Sequence, residues 1–145
     1  MVKMKMMWSP VGLAVAFLAG FAAHGMVPGQ SVANAQAASR VFELRTYAAG
    51  EGKLDLLHAR FRNHTLRIFQ KHGMTNVIYL KPMDAPLSQN TMVYLLAHQS
   101  REAAKKSWDA FRADTEWATV ARESGVGAVK VDSVFLEPTD YSPMK

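Results

Sequence analysis

Glu43, Arg45 and Tyr47 occupy alternate positions of the segment Val41-Phe42-Glu43-Leu44-Arg45-Thr46-Tyr47, and Tyr94 and His98 share one parity in a second segment, Met92 to His98. Side chains two apart on an extended strand share a face, so each segment gathers its polar groups on one side. A carboxylate, a guanidinium, two phenols and an imidazole on one sheet face can bind and polarise a small aromatic or quinone-like molecule. Glu43 and Arg45 can equally pair with each other or with a partner subunit, holding an interface and doing no chemistry. His64, on a helix flanking the sheet, is the remaining candidate. It is placed either as a general base or hydrogen-bond donor at the cleft between helix and sheet, or as a surface histidine bonded to a nearby loop.

Other chemistries find little footing. The chain has no cysteine, which excludes disulfides, thiolate metal sites, iron–sulfur centres and a cysteine nucleophile together. His58, His64 and His72 lie on one predicted helix at spacings of 6 and 8, which do not bring imidazoles together as a spacing of four does. His58 and His72 share a side but are about 21 Å apart at the helical rise. No metal site is expected. Gly125-Val126-Gly127 lacks the third glycine and the strand-to-helix setting of a dinucleotide loop, and no serine stands in a nucleophile elbow, so no cofactor is expected either. Arg60, Arg67 and Lys71 make a basic stripe beside His64, suited to an anionic ligand or lipid surface, or simply a solvated helix face. The formal net charge of +5 is too mild to indicate nucleic acid.

The elements that must position these groups follow from periodicity. After the first strand, Leu54, Leu57, Phe61, Thr65, Ile68 and His72 form one apolar stripe at spacings of 3 and 4, a helix stopped by Gly73. Asn76 to Leu80 reads as a second strand, and Met92 to His98 as a third, antiparallel to it across a proline-containing connection. Ser100 is the expected N-cap of a helix to about Arg112, with Ala104, Ser107, Trp108 and Phe111 inward. Asp114 caps a short second helix with Trp117 and Val120 inward, ended by Gly125. Ala128 to Leu136 reads as the last strand.

The order strand, helix, strand, strand, helix, strand predicts an α+β, ferredoxin-like βαββαβ domain, a four-stranded antiparallel sheet with helices on one face. With Phe42, Leu44, Val93, Leu95 and Ala97 assigned to the helices, the uncovered face carries Val41, Tyr47, Met92, Tyr94 and Leu96 beside Glu43, Arg45 and His98. An apolar surface of that extent marks an interface. The expected cover is a second copy of the same sheet across a two-fold axis, which would put the candidate groups between two sheets.

The segments VFELRTY, NHTLRIFQKHGM, SREAAKKSWDAF with DTEW, and FLEPTDYSP resemble the NIPSNAP family in order and spacing, over about Arg40 to Pro143. Family members often have proline after the aspartate of DTEW, where this chain has Thr115, a change that touches helix entry and not chemistry. The resemblance implies a dimeric α/β-barrel, two ferredoxin-like subunits paired by their sheets. It implies less about activity. The superfamily holds cofactor-independent monooxygenases, haem-degrading enzymes and lactone isomerases, while the family has no well-defined reaction and its animal members are linked to mitochondria and protein partners. The expected function is a homodimeric small-molecule-binding or accessory protein for a hydrophobic or aromatic ligand. The alternative is a cofactor-independent monooxygenase or isomerase of a hydrophobic ring compound, with Glu43, Arg45, Tyr94 and His98 around the substrate and His64 at the rim.

Residues 1–35 have the layout of a secretory signal: Lys3 and Lys5, an apolar run from Val11 to Ala23, and small-x-small sites at Ala33-Asn34-Ala35 and Ala35-Gln36-Ala37. A linker, 36–39, leads into the domain, 40–143. The competing assignment is an uncleaved anchor, since Met6 to Ala23 approaches the ~20 apolar residues that span a bilayer, although Ser9, Pro10, Gly12 and Gly20 weaken it. Either way the domain is expected outside the inner membrane, periplasmic or secreted, and membrane-bound only if the segment is retained. Mass spectrometry of the exported protein should give an N-terminus at Gln36 or Ala38; an intact Met1 in the membrane fraction would show an anchor.

Overall fold

The computed structural model describes residues 40–145. The expected signal segment, cleavage site and linker lie outside the described residues. β1 (Val41–Ala49) leads through a turn into a helical arm made of α1 (Leu54–Arg60), a π-helical segment (Phe61–Thr65) and α2 (Leu66–Lys71). β2 (Thr75–Leu80) and β3 (Thr91–His98) follow, then α3 (Arg101–Ala113), α4 (Thr115–Glu123) and β4 (Val129–Leu136). The four strands form one antiparallel sheet in the order β2-β3-β1-β4, the ferredoxin-like arrangement. Among the described residues no helix is long and apolar enough to cross a membrane.

Helix ends are set by the residues expected to set them. Ser100 Oγ accepts from Ala103 N at 3.1 Å, and Asp114 Oδ1 accepts from Glu116 N at 2.8 Å. At the end of α2, Gly73 adopts φ +78°, its N–H donates to Gln70 O, and Met74 N donates to Phe69 O, the paired bonds of a Schellman stop. Met74 and Phe69 are both buried, so the stop also feeds the core.

The facing of the sheet is opposite to the sequence-based expectation. Met92, Tyr94 and Leu96 pack in one cluster with Leu57, Phe61, Ile68, Phe69, Trp108 and Phe111, so Glu43, Arg45, Tyr47, Tyr94 and His98 face the helices. Phe42, Leu44, Val93 and Leu95 face the other way, in register with Leu136 and Val134 of β4 and with Leu80 and Ile78 of β2. Alternation fixes which residues share a face, but not which face meets the helices. The deciding factors are size and partners. Large rings fill the gap between sheet and helix axes, and Glu43 finds a donor in Trp108 on α3; the mostly aliphatic set, with Phe42, makes the outer face.

Gly73 has ordinary room for a methyl group, its nearest non-adjacent contact being Ser107 Oγ at 3.6 Å from an ideal Cβ. The cost of Gly73→Ala is therefore backbone strain alone, about 1–2 kcal/mol, measured as a shifted urea midpoint with unchanged slope.

Candidate functional site

Glu43 lies at the centre of the helix-facing layer and is 1% exposed. Its neighbours on β1, β3, β4 and α3 all donate to it: Arg45 Nη1 at 2.6 Å and Ser133 Oγ at 2.7 Å to Oε1, Trp108 Nε1 at 2.7 Å and His98 Nε2 at 3.0 Å to Oε2. Burial alone would raise its pKa, but these bonds outweigh burial and hold it at about 2. Because an ionised carboxylate only accepts, His98 carries a proton on Nε2. The other ring nitrogen, Nδ1, is buried with no partner among the described residues.

Arg45 extends from this centre toward a set of rings. Its guanidinium carbon stands 4.1 Å from the Trp108 ring centroid and 5.6 Å from that of Tyr47. Tyr94, 0% exposed, is the hub of the rings, with Tyr47 at 5.2 Å, Phe61 and Tyr79 at 5.3 Å, and Phe69 at 6.0 Å between centroids. Burial, then the adjacent Tyr47 phenol, raises the Tyr94 pKa well above its ordinary value, so Tyr94 stays a neutral hydroxyl. That hydroxyl and Arg45 Nε are both buried without a hydrogen-bond partner.

A second cation enters the same layer from the helical arm. Arg60 is 6% exposed, and its guanidinium carbon lies 5.2 Å from the Trp117 ring centroid on α4. No carboxylate pairs with it among the described residues, and its Nε is buried without a partner. The π turn stands directly after it: Leu66 N donates to Phe61 O, five residues back, and Thr65 Oγ1 bonds Arg60 O at 3.2 Å. Between this turn and α4 lies a cavity of about 220 Å³ bounded by Leu56, Arg60, Asn63, His64, Val120 and Glu123.

The six candidate residues therefore separate into three settings. Glu43, Arg45 and His98 are joined by hydrogen bonds, and Tyr47 and Tyr94 continue their surface as an aromatic layer. His64 lies apart, on the cavity beside α4. The sequence pattern gave no role to Trp108 and Ser133; Trp108 reads as plain core and Ser133 as one more strand residue. Arg60 reads as one member of a solvated basic stripe, yet it is buried, whereas Arg67 and Lys71 are exposed and pair with Glu116 and Asp114. His72 Nε2 meets Asp114 Oδ2 at 2.6 Å, so the α4 cap also clamps α2. Among the described residues, no three histidine, aspartate or glutamate side chains converge on a position that could hold a metal ion.

Removing the Glu43 carboxylate leaves Arg45 buried and uncompensated. Glu43→Ala is expected to destabilise the fold by about 3–5 kcal/mol in urea denaturation. In the parent protein the stabilisation is complete above the ordinary glutamate value of 4.5 and falls away as pH drops toward about 2. Glu43→Gln should lose that acid-limb dependence, and an unchanged acid limb would exclude Glu43 as its source.

The model of the NIPSNAP family matches residues 42–143. A NIPSNAP family protein of unknown function from Agrobacterium tumefaciens superposes with a TM-score of 0.66 at 18% identity, covering 74% of this chain and 96% of that one. An uncharacterised NIPSNAP-like domain protein from Burkholderia xenovorans gives 0.64 at 19% identity, over 73% and 90% of the two chains. SnoaB, a cofactor-independent oxygenase from Streptomyces nogalater, gives 0.52 at 11% identity, over 73% and 99%. No curated protein matches the chain. With a family match spanning almost the whole described domain, on a fold its solved members share, the chain belongs to the NIPSNAP family.

Proposed function

We propose that this NIPSNAP protein is an exported homodimer that binds a small hydrophobic or aromatic compound in the layer between its sheet and its helices. The observation that carries the reading is the group of buried donors without protein partners: Arg45 Nε, Arg60 Nε and the Tyr94 hydroxyl, set among aromatic faces. Buried polar atoms in native interiors are nearly always satisfied, and concentrations of exceptions accompany function. Rings on several sides and hydroxyl and guanidinium groups between them suit a flat compound with polar substituents.

The dimer rests on the outer sheet face. Ile78, Leu80, Val134 and Leu136 are exposed there beside Leu44, Val93 and Leu95, an aliphatic surface suited to a second copy of itself. Export rests on the signal-like layout of residues 1–35.

A second reading, a cofactor-independent oxygenase or isomerase of a ring compound, is favoured by the fold likeness to SnoaB. For that chemistry Glu43, held ionised at about 2, is too weak a base to take a proton near neutral pH. His64, at the cavity beside α4, is the better placed base. In that reading Arg45 and Tyr94 would orient the ring and stabilise developing negative charge.

Native mass spectrometry of the purified protein tests binding and assembly together. The expected spectrum is a dimer that carries a small organic adduct; a bare monomer at micromolar concentration would overturn both. Val134→Lys places a charge on the outer face and should give monomers in light scattering while the circular dichroism of the fold is kept. Oxygen uptake during turnover of the carried compound would favour the enzyme reading, and its absence the binding one.

A further inference from the structure

We propose that the ligand of this layer is an organic acid, and that Arg60, presented by the π turn beside α4, is the receptor for its anionic group. This inference rests on the small-molecule-binding reading above and adds the charge class of the ligand and the residue that selects it.

The first support is a charge imbalance. The buried and half-buried charged groups include two guanidiniums, Arg45 and Arg60, and two carboxylates, Glu43 and Asp114, of which Asp114 is taken by Lys71 and His72. Glu43 is fully engaged by Arg45, His98, Trp108 and Ser133, so none of its charge is directed to Arg60. A guanidinium stays protonated under all ordinary conditions, and burying one without a counter-charge is costly. The contact Arg60 does have, the Trp117 face, softens that cost without supplying a full negative charge.

The second support is access. Arg60 bounds the cavity of about 220 Å³, so an incoming anion reaches it without displacing the core. Leu56 and Val120 supply apolar walls, and Asn63 and His64 stand at the same cavity as further polar contacts. The volume is below the several hundred Å³ of drug-sized sites, which limits the buried part to one ring or a short chain. Glu123, the acidic residue on the cavity, is exposed and bonded to Arg122 at 3.1 Å, and it forms no ion pair with Arg60.

The third support is the backbone. π turns are rare, because they lengthen the hydrogen-bonded ring, and they gather at functional sites. Here the extra residue falls between Arg60, turned inward, and His64, and Thr65 Oγ1 compensates the disturbed ladder by bonding Arg60 O.

The test uses benzoate and its uncharged counterpart benzamide, titrated into the dimer while the side-chain N–H signals of arginine are followed by NMR. Benzoate should shift the Arg60 Nε–H saturably, and benzamide should bind at least about tenfold more weakly, as expected where a buried charge-assisted pair is lost. Arg60→Met keeps the aliphatic stem and should abolish benzoate binding while melting at the temperature of the parent or above it, since the unpaired charge is gone. Should that variant fail to fold, the guanidinium is a structural part of the domain and the receptor role is overturned. Tyr94→Phe, which removes only the hydroxyl, then still reports on binding in the layer. Equal affinity for the two compounds would overturn the acid class and leave the binding reading standing. No binding of either compound, to parent or variants, would overturn both.

Discussion

The burial of one carboxylate organises this domain. Removing Glu43 from water costs several kcal/mol, and the structure offsets that cost with four donors drawn from three strands and a helix. Those donors are geometrically demanding. His98 must lie near Glu43 across the β1–β3 ladder, Ser133 near it across the β1–β4 ladder, and Trp108 must project from α3 onto the same face. Turning the sheet over would keep the Arg45, His98 and Ser133 bonds, which are made within the sheet, but would take Glu43 away from Trp108 of α3, so the Trp108 bond ties the carboxylate face to the helices.

The two faces of the sheet are specialised as a result. The helix side holds rings and charge: Tyr94 at the hub, Arg45 stacked on Trp108, and Arg60 reaching in from the arm. The outer side is mostly aliphatic, with Phe42 and Thr46, and carries no glutamate or arginine in the central strands. Asp114 does for the helices what Glu43 does for the sheet. It caps α4 through Glu116 N and binds Lys71 and His72 at the end of α2, so the two halves of the helical layer meet at one side chain. Bonds from Lys71 first, then His72, hold its carboxyl below the ordinary range.

Elements and their order were legible in the sequence because they depend on local rules. Ser100, Asp114, Gly73 and Gly125 mark helix ends by their own chemistry, and the stripe from Leu54 to Ile68 keeps its period despite the π turn. The parity grouping of Glu43, Arg45, Tyr47, Tyr94 and His98 was legible for the same reason. Their facing was not. Phe42, Leu44, Val93 and Leu95 are the more hydrophobic set, and a rule based on hydrophobicity gives them to the core. That rule fails when a domain has two covered or coverable faces and the polar set satisfies itself internally. Arg60 escaped for a related reason. Arg60, Arg67 and Lys71 follow one another at helical spacing, and only the tertiary fold turns the first inward while the other two reach acidic partners on α4 and its cap.

The distribution of packing also separates a fixed half of the layer from a looser one. Around Glu43 every oxygen is bonded, and the neighbouring Trp108 and Phe111 are locked by ring contacts. At the other end α4 buries no residue completely and leans on the core through Trp117 and Val120, with the Trp117 ring tilted against Phe111 at 4.4 Å between centroids. Surplus positive charge and the cavity both fall at this lightly packed end. Local stability follows packing density, so opening there costs less than opening at the carboxylate centre. The carboxylate centre holds Arg45, His98 and Trp108 in place, while the α4 end carries the cavity and the lighter packing. The polar arrangement and the cavity both lie on the helix side, and neither uses the outer sheet face.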